Sequence, residues 1–145
     1  MKAVIQRVKY ASVAINGSEF SKIEKGLLVL FGVEKNDDKE KIDFFVKKIA
    51  NLRIFNDEKD KMNFSVKDIK GEILVVSQFT LSADCAKGLR PSFDNAMNPE
   101  IANKMYEEFI LKLKETGLNV KTGVFGADMK VLLLNDGPVT FVLEK

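Results

Sequence analysis

The run Gly26-Leu27-Leu28-Val29-Leu30-Phe31-Gly32-Val33 constrains the fold more than any other segment. It is far shorter than the roughly 20 apolar residues a membrane-spanning helix needs, and it shows no alternation that would leave one face wet. Such a run reads as a strand buried on both faces. A strand of that kind needs partners on both edges and cover above and below, and the rest of the chain has to supply them. The material is present: 145 residues, 46% apolar and 30% charged, fit one domain, and a domain of this size buries roughly 68–70% of the surface its unfolded chain exposes.

The cover can be read on either side of the run. Upstream, Lys2–Val8 and Ser12–Ile15 alternate as strands. Asn16-Gly17 is a strong short hairpin signal, with Glu19–Ile23 as the returning partner. Downstream, Asp37-x-x-Glu40 has the form of a capping box, after which Ile42, Phe45, Val46 and Ile49 fall on one helical face. A second helix starts at Asn98, a good cap, with Pro99 in its first turn, and ends at Gly117. Its buried stripe is expected to be Ile101, Met105, Phe109, Ile110 and Leu113. Between the helices Asn56–Ser65 is polar and turn-like, and Glu72–Leu81 reads as a strand. Three further strands are expected at Val120–Val124, Met129–Leu134 and Val139–Leu143. The spacing predicts a single α/β domain over residues 1–145, a mixed sheet with two amphipathic helices covering its faces and β-rich ends.

Composition removes several kinds of chemistry. One cysteine cannot close an internal disulfide. The apolar stretch at Met1–Ile5 is too short for the core of a signal peptide. The cytosol is the expected compartment, and no membrane contact is expected. There is no histidine, which rules out nucleophiles activated by imidazole and leaves the chain without the commonest metal ligand. No metal or other cofactor is expected, and proton transfers would fall to carboxylates, water, backbone dipoles or the substrate. A net charge of +2 from 23 basic and 21 acidic residues is a weak footprint for a protein that wraps a long nucleic acid. DNA is not an expected partner, whereas touching only the end of an RNA needs few phosphate contacts.

Three segments have the residue types for a site. In Val75-Val76-Ser77-Gln78-Phe79-Thr80-Leu81 an apolar strand ends in hydroxyls and an amide, at the kind of strand end where α/β sheets hold ligands. The hydroxyls of Ser77 and Thr80 have an equally simple use in bonding the loop backbone. Asn135-Asp136-Gly137-Pro138-Val139-Thr140 reads either as an ordinary Asp-Gly hairpin turn or as a rigid Gly-Pro tip exposing bare carbonyls. The loop Ala86 to Phe93, with Lys87, Arg90 and a closing aromatic, is suited to a phosphate and a base, or simply to solvent. Cys85 beside it has no activating base and reads as a passive thiol.

Together these pieces resemble one family. Gln6-Arg7-Val8, Gly32-Val33-Glu34, Asn51-Leu52-Arg53-Ile54-Phe55, Ser77 through Leu81, Arg90-Pro91-Ser92-Phe93, Phe125-Gly126-Ala127-Asp128-Met129 and Asn135 through Thr140 are similar, in order and spacing, to D-aminoacyl-tRNA deacylases. Departures fall at Ser82, Cys85 and Leu89. The resemblance implies a homodimer with active sites shared across the subunits. It implies a pocket of Ser77, Gln78, Phe79 and Thr80, into which the partner inserts a cis Gly137-Pro138 motif steadied by Arg7. It further implies an RNA surface at Phe125, Met129, Lys87 and Arg90, with the aminoacylated 3′ end of tRNA as partner.

The activity implied is hydrolysis of the ester joining a D-amino acid, or glycine, to the terminal ribose of tRNA. That reading accounts for the missing histidine. The ester is already activated, and the neighbouring ribose hydroxyl sits beside the carbonyl at high effective concentration. The protein then has to position the ester, supply donors for the developing oxyanion, and exclude L side chains by steric rejection at Gly137 and Pro138. Thr80 as a nucleophile is the rival mechanism. A non-catalytic RNA-binding module and an esterase for small molecules are the rival functions.

Overall fold

The computed structural model describes every residue from Met1 to Lys145. In chain order the elements are β1 (Lys2–Ile15), β2 (Ser18–Ile23), β3 (Gly26–Gly32), α1 (Lys39–Asn51), β4 (Phe55–Asn56), β5 (Met62–Phe64) and β6 (Glu72–Ser77). A 3-10 turn (Phe79–Ser82), α2 (Pro99–Glu115), β7 (Asn119–Thr122) and β8 (Met129–Glu144) complete it. The apolar run is β3, buried along most of its length and paired on both edges. It is antiparallel to β1, with Ile5 opposite Val29, and parallel to β6, with Val29 opposite Val75. β7 extends the sheet parallel to β6.

The two upstream strands are one continuous strand. β1 pairs on one edge with β3 through Lys2–Val8 and then with β2 through Ala11–Ile15, while β8 follows its other edge from Lys2 to Ile15. The two strands expected at the C-terminal end are likewise one, so Asp136-Gly137 is not a hairpin. β6 is shorter than expected: after Ser77 the chain turns into the 3-10 segment. The polar stretch after Asn56 contains the small antiparallel pair β4–β5.

Period-2 alternation sorts the sheet into two cores. Leu27, Val29 and Phe31 of β3, with Ile73 and Val75 of β6, face α1 and α2 in one cluster. Leu28, Leu74 and Val76 face the other way and meet Val8, Ala11, Val13 and Ile23. Both helices therefore cover one face, and the second face closes on itself as the sheet curls. Ser21 Oγ of β2 donates to the Thr122 carbonyl of β7 at 2.8 Å, which ties the far ends of that curl. In the helical layer Phe31 stacks on Phe109 with centroids 4.2 Å apart and meets Phe45 edge-on at 5.7 Å.

Two local expectations are corrected. α2 is capped by Asn98 as expected, its side chain accepting from Glu100 N. Its buried stripe, however, is Ala102, Met105, Tyr106, Phe109 and Leu113, while Ile101 is 49% exposed and Ile110 only partly buried. In α1 the cap is Asp38, which accepts from Lys41 N at 3.1 Å. Asp37 serves instead in a buried ionic cluster, accepting from the Met1 α-ammonium at 2.5 Å, Glu34 N at 2.7 Å and Lys41 Nζ at 2.8 Å. This ties the start of β1 to the segment between β3 and α1.

Burial pushes the Asp37 carboxyl up, but its bonds from Lys41, the α-ammonium and Glu34 N outweigh that and hold it below the ordinary carboxylate range. A carboxyl depressed on folding contributes stability above its unfolded value of roughly 3.9 and loses it as pH falls through the folded value. Asp37→Asn should therefore destabilise the protein by about 1.5–3 kcal/mol at neutral pH. Urea unfolding of both proteins, taken stepwise into acid, should show the gap closing. A gap that stayed constant would remove the ionic explanation.

Candidate active site

A cleft of about 780 Å³ opens at the carboxyl ends of the parallel strands β3 and β6, the position where open α/β sheets hold ligands, and its volume lies within the roughly 300–1,000 Å³ usual for ligand pockets. Phe31, Gly32 and Val33 form one wall, and Val76, Ser77, Gln78 and Phe79 the next. The start of α2 closes a third side with Asn98, Ala102 and Tyr106, and Phe125 and Met129 line the approach to β8.

The turn that carries Gln78 to Thr80 is seated by backbone geometry. Gln78 N donates to the Phe31 carbonyl at 2.8 Å, which draws the turn against the end of β3. That approach requires a glycine at position 32, because a Cβ there would stand 2.8 Å from the Gln78 carbonyl oxygen. Gln78 Nε2 then donates to Thr80 Oγ1, which orients both side chains. Tyr106 is buried and donates its hydroxyl to the Val75 carbonyl at 2.9 Å, holding α2 against β6 two residues before Ser77. Burial pushes its phenol well above the ordinary range, so the hydroxyl stays a donor. No group of three or more Cys, Asp or Glu side chains is placed to hold a metal ion.

Of the residues expected at a site, Ser77, Gln78, Phe79, Phe125 and Met129 meet at this cleft. Thr80 sits on the adjoining turn, exposed and bonded to Gln78. Lys87 and Arg90 are on the exposed loop that follows and are not part of the cleft wall. Arg7, Gly137 and Pro138 form a second cluster, separate from the cleft lining of their own chain.

That second cluster is a bulge in the β1–β8 ladder. Gln6 pairs with Thr140 and Val8 with Asn135, so Arg7 alone stands opposite the four residues Asp136 to Val139. Arg7 is only 8% exposed. Its Nε donates to the Asp136 carbonyl at 2.7 Å, and Nη1 to the Ile54 carbonyl at 2.6 Å and Asn56 Oδ1 at 3.1 Å. Asn135 bridges the bulge from the other side. Its Oδ1 accepts from Val139 N at 2.8 Å, while Nδ2 donates to the Val139 carbonyl at 3.2 Å and Thr140 Oγ1 at 3.1 Å. Val139 is buried, and Gly137 and Pro138 are left exposed, joined by a cis peptide bond. A Cβ on Gly137 would meet Val139 N at 2.4 Å, so no other residue fits there unchanged.

The family model described as D-Tyr-tRNA(Tyr) deacylase matches residues 4–144. The chain belongs to the D-aminoacyl-tRNA deacylase family. It is an enzyme, a hydrolase that edits aminoacyl-tRNA carrying D-amino acids. The deacylase is 58% identical to the D-aminoacyl-tRNA deacylase of Geotalea daltonii over 144 residues, covering 99% of this chain and 96% of that protein. It is 58% identical to that of Thermosipho africanus, covering 99% and 97%. Among solved structures it is similar to one described as a c-Myc DNA unwinding element binding protein, with TM-score 0.95 and 46% identity, covering 100% of this chain and 99% of that one. A probable eukaryotic D-amino acid tRNA deacylase shares the fold, with TM-score 0.87 and 14% identity, covering 98% and 97%.

The sequence reading missed Asn135 and Tyr106. Asn135 lay within a motif already singled out, but a side chain that spans a bulge has no periodic signature. Tyr106 lies on the 102-105-106-109-113 helical stripe, a periodicity present in the sequence but masked by the more apolar Ile101 and Ile110 beside it.

The Asn135 bridge makes a specific prediction for the deacylase. Asn135→Ala strands the Val139 N–H and should cost about 1–3 kcal/mol in a denaturation experiment. Asn135→Asp keeps the acceptor for that N–H but sets an oxygen against the Val139 carbonyl in place of the amide donor, so its loss should shrink in acid, where a protonated carboxyl donates again. An Asn135→Asp protein as weak as Asn135→Ala at every pH would show that the Val139 contacts are not what stabilises the bulge.

Proposed function

We propose that the deacylase works as a twofold dimer in which the Gly137–Pro138 bulge of each subunit completes the cleft of the other. The observation that carries this reading is a mismatch within one chain. The bulge is clamped by Arg7 and Asn135 and bares its backbone, yet contributes nothing to the cleft of its own subunit. The strand that carries it exposes Leu132 (60%), Leu134 (48%) and Phe141 (38%) on either side of the bulge. An apolar strip of that kind favours burial against a second copy, and a twofold axis makes each contact twice.

In that arrangement the aminoacylated 3′ end of tRNA enters the cleft in the cytoplasm, with the terminal adenosine against Phe125 and Met129. The ester lies beside the 3-10 turn. Phe79 and Thr80 open that turn, where the first N–H groups have no acceptor within the turn itself. Two such donors suit an oxyanion and are worth a few kcal/mol in a transition state. With no histidine available, the neighbouring ribose hydroxyl assists the attack, and Thr80 positions rather than reacts. The carbonyls of the partner's Gly137 and Pro138 stand where an L side chain would project. A D side chain points away, and glycine has only hydrogen in the blocked direction, so glycyl-tRNA also passes. A backbone wall held by hydrogen bonds discriminates more sharply than the roughly 1–3 kcal/mol one methylene gives in an apolar pocket.

A panel of deacylation time courses tests the chemistry. D-Tyr, D-Asp and Gly esters of tRNA should be hydrolysed, and L-Ala spared. Thr80→Ala should keep a substantial part of the activity, and a substrate whose ribose hydroxyl beside the ester is replaced by hydrogen should be nearly inert. Hydrolysis of L-Ala at the rate of Gly would refute the steric wall. A folded, tRNA-binding Thr80→Ala protein with no activity would restore Thr80 as nucleophile.

Sedimentation tests the assembly. The wild type should run at twice the 16.3 kDa chain mass, and Leu134→Glu should dissociate it with loss of activity. Full activity in a demonstrably monomeric sample would overturn the shared site.

A further inference from the structure

The rim of the cleft carries two exposed aromatic rings in contact. Phe79, from the turn after β6, and Phe93, from the segment before α2, meet with ring centroids 5.1 Å apart and planes tilted by 54°. Both line the cleft, yet they are 60% and 41% exposed and belong to neither hydrophobic core. Each is held in place by its backbone. Asp84 and Ser92 exchange N–H···O bonds of 2.8 and 2.9 Å, and Ala96 N donates to the Phe93 carbonyl at 2.9 Å. On the other side, Gln78 N fixes the residue before Phe79. Two large apolar rings are thus kept at the surface by well-formed local structure.

Both signs of charge are present: Asp128 lines the cleft, paired with Lys130, and Asp84 and Asp94 flank the loop before α2, while three cations stand unpaired. Lys35 lines the same cleft, and the loop closed by the Asp84–Ser92 bridge carries Lys87 and Arg90. None of the three cations is in an ion pair, so their charge is available to a ligand. Exposed aromatic faces beside unneutralised cations form the usual platform for single-stranded nucleic acid, because every base has a π face and every linkage a phosphate.

We propose that Phe79 and Phe93 form a second nucleotide subsite, which stacks the base immediately 5′ of the terminal adenosine while Lys35, Lys87 and Arg90 attract its phosphate. This rests on the reading that the cleft receives the aminoacylated end. Stacking is indifferent to the base, so the subsite adds affinity for a polynucleotide end without selecting among tRNA bodies. It also favours a strand over a free aminoacyl-nucleoside.

The test compares three D-aminoacyl esters: of adenosine, of a cytidylyl-adenosine dinucleotide, and of the same dinucleotide with its first base removed. In the wild-type enzyme kcat/KM should rise about tenfold or more from adenosine to dinucleotide, and most of that rise should vanish with the base. In Phe93→Leu the contribution of the base should fall below about threefold, and Phe93→Trp should retain it. Each enzyme is its own reference, so a reduced active fraction in a variant cancels from the ratio. Equal hydrolysis of the abasic and intact dinucleotides, or an undiminished contribution of the base in Phe93→Leu, overturns the subsite and leaves the reading of the cleft standing. Hydrolysis of none of the three esters by a wild-type enzyme active on charged tRNA also overturns the subsite, because the affinity would then come from the tRNA body, whereas inactivity on charged D-aminoacyl-tRNA itself overturns the reading of the cleft.

Discussion

The ladder between β1 and β8 carries the rest of this structure. β1 is bonded on both edges along most of its length, and β8 follows it from Lys2 to Ile15. A ladder so long leaves little freedom for its register, because a one-residue slip would turn every buried side chain of β1 outward. It yields at two neighbouring places: Lys9 is one extra residue of β1 between the Val8–Asn135 and Tyr10–Leu134 pairs, and opposite Arg7 β8 needs four residues to cover the space of one. A buried guanidinium demands acceptors. It finds them in the Asp136 carbonyl of the bulge and in Ile54 and Asn56 at the edge of β4. Removing the arginine from the ladder would remove the reason for the bulge's shape.

The cleft depends on the same sheet at a different edge. β3 and β6 run parallel, so their carboxyl ends open together, and Ser77 stands opposite Phe31 in the register. The helical layer fixes that edge from one side through Phe31 on Phe109 and through Tyr106 on the Val75 carbonyl. Packing in the core is thereby converted into position at the surface: the turn from Gln78 to Thr80 is seated against strand ends that cannot shift independently.

The two clusters also differ in what holds them. The cleft is mostly apolar, with few polar groups at its strand ends. The bulge is held almost wholly by hydrogen bonds from Arg7 and Asn135. An apolar cleft adapts to a ligand at small cost, whereas a hydrogen-bonded backbone loop resists displacement because each broken bond leaves a polar group unpaired.

Local chemistry made much of the fold legible in the sequence. The unbroken apolar run from Gly26, the Asn16-Gly17 turn, the Asn98 cap with Pro99 and the stripe of α1 depend on residues close together in the chain, and each appears where its pattern places it. The motif from Ser77 to Phe79 was legible as a strand end at a cleft for the same reason. What depended on distant residues was not. Asp136-Gly137 has the composition of a hairpin, but pairing with β1 extends the strand through it, since Arg7 and the ladder offer more bonds than a turn does. Asp37 has the spacing of a cap, yet an ammonium and a lysine brought by the fold claim its carboxylate. Ile101 looks buried by its chemistry, but the sheet approaches α2 along the line of Ala102 and Tyr106. Sequence determined the elements and the residue types at the site. Only tertiary structure decided which face each element shows and which carbonyls are left bare, because those follow from partners that the chain meets after it has folded.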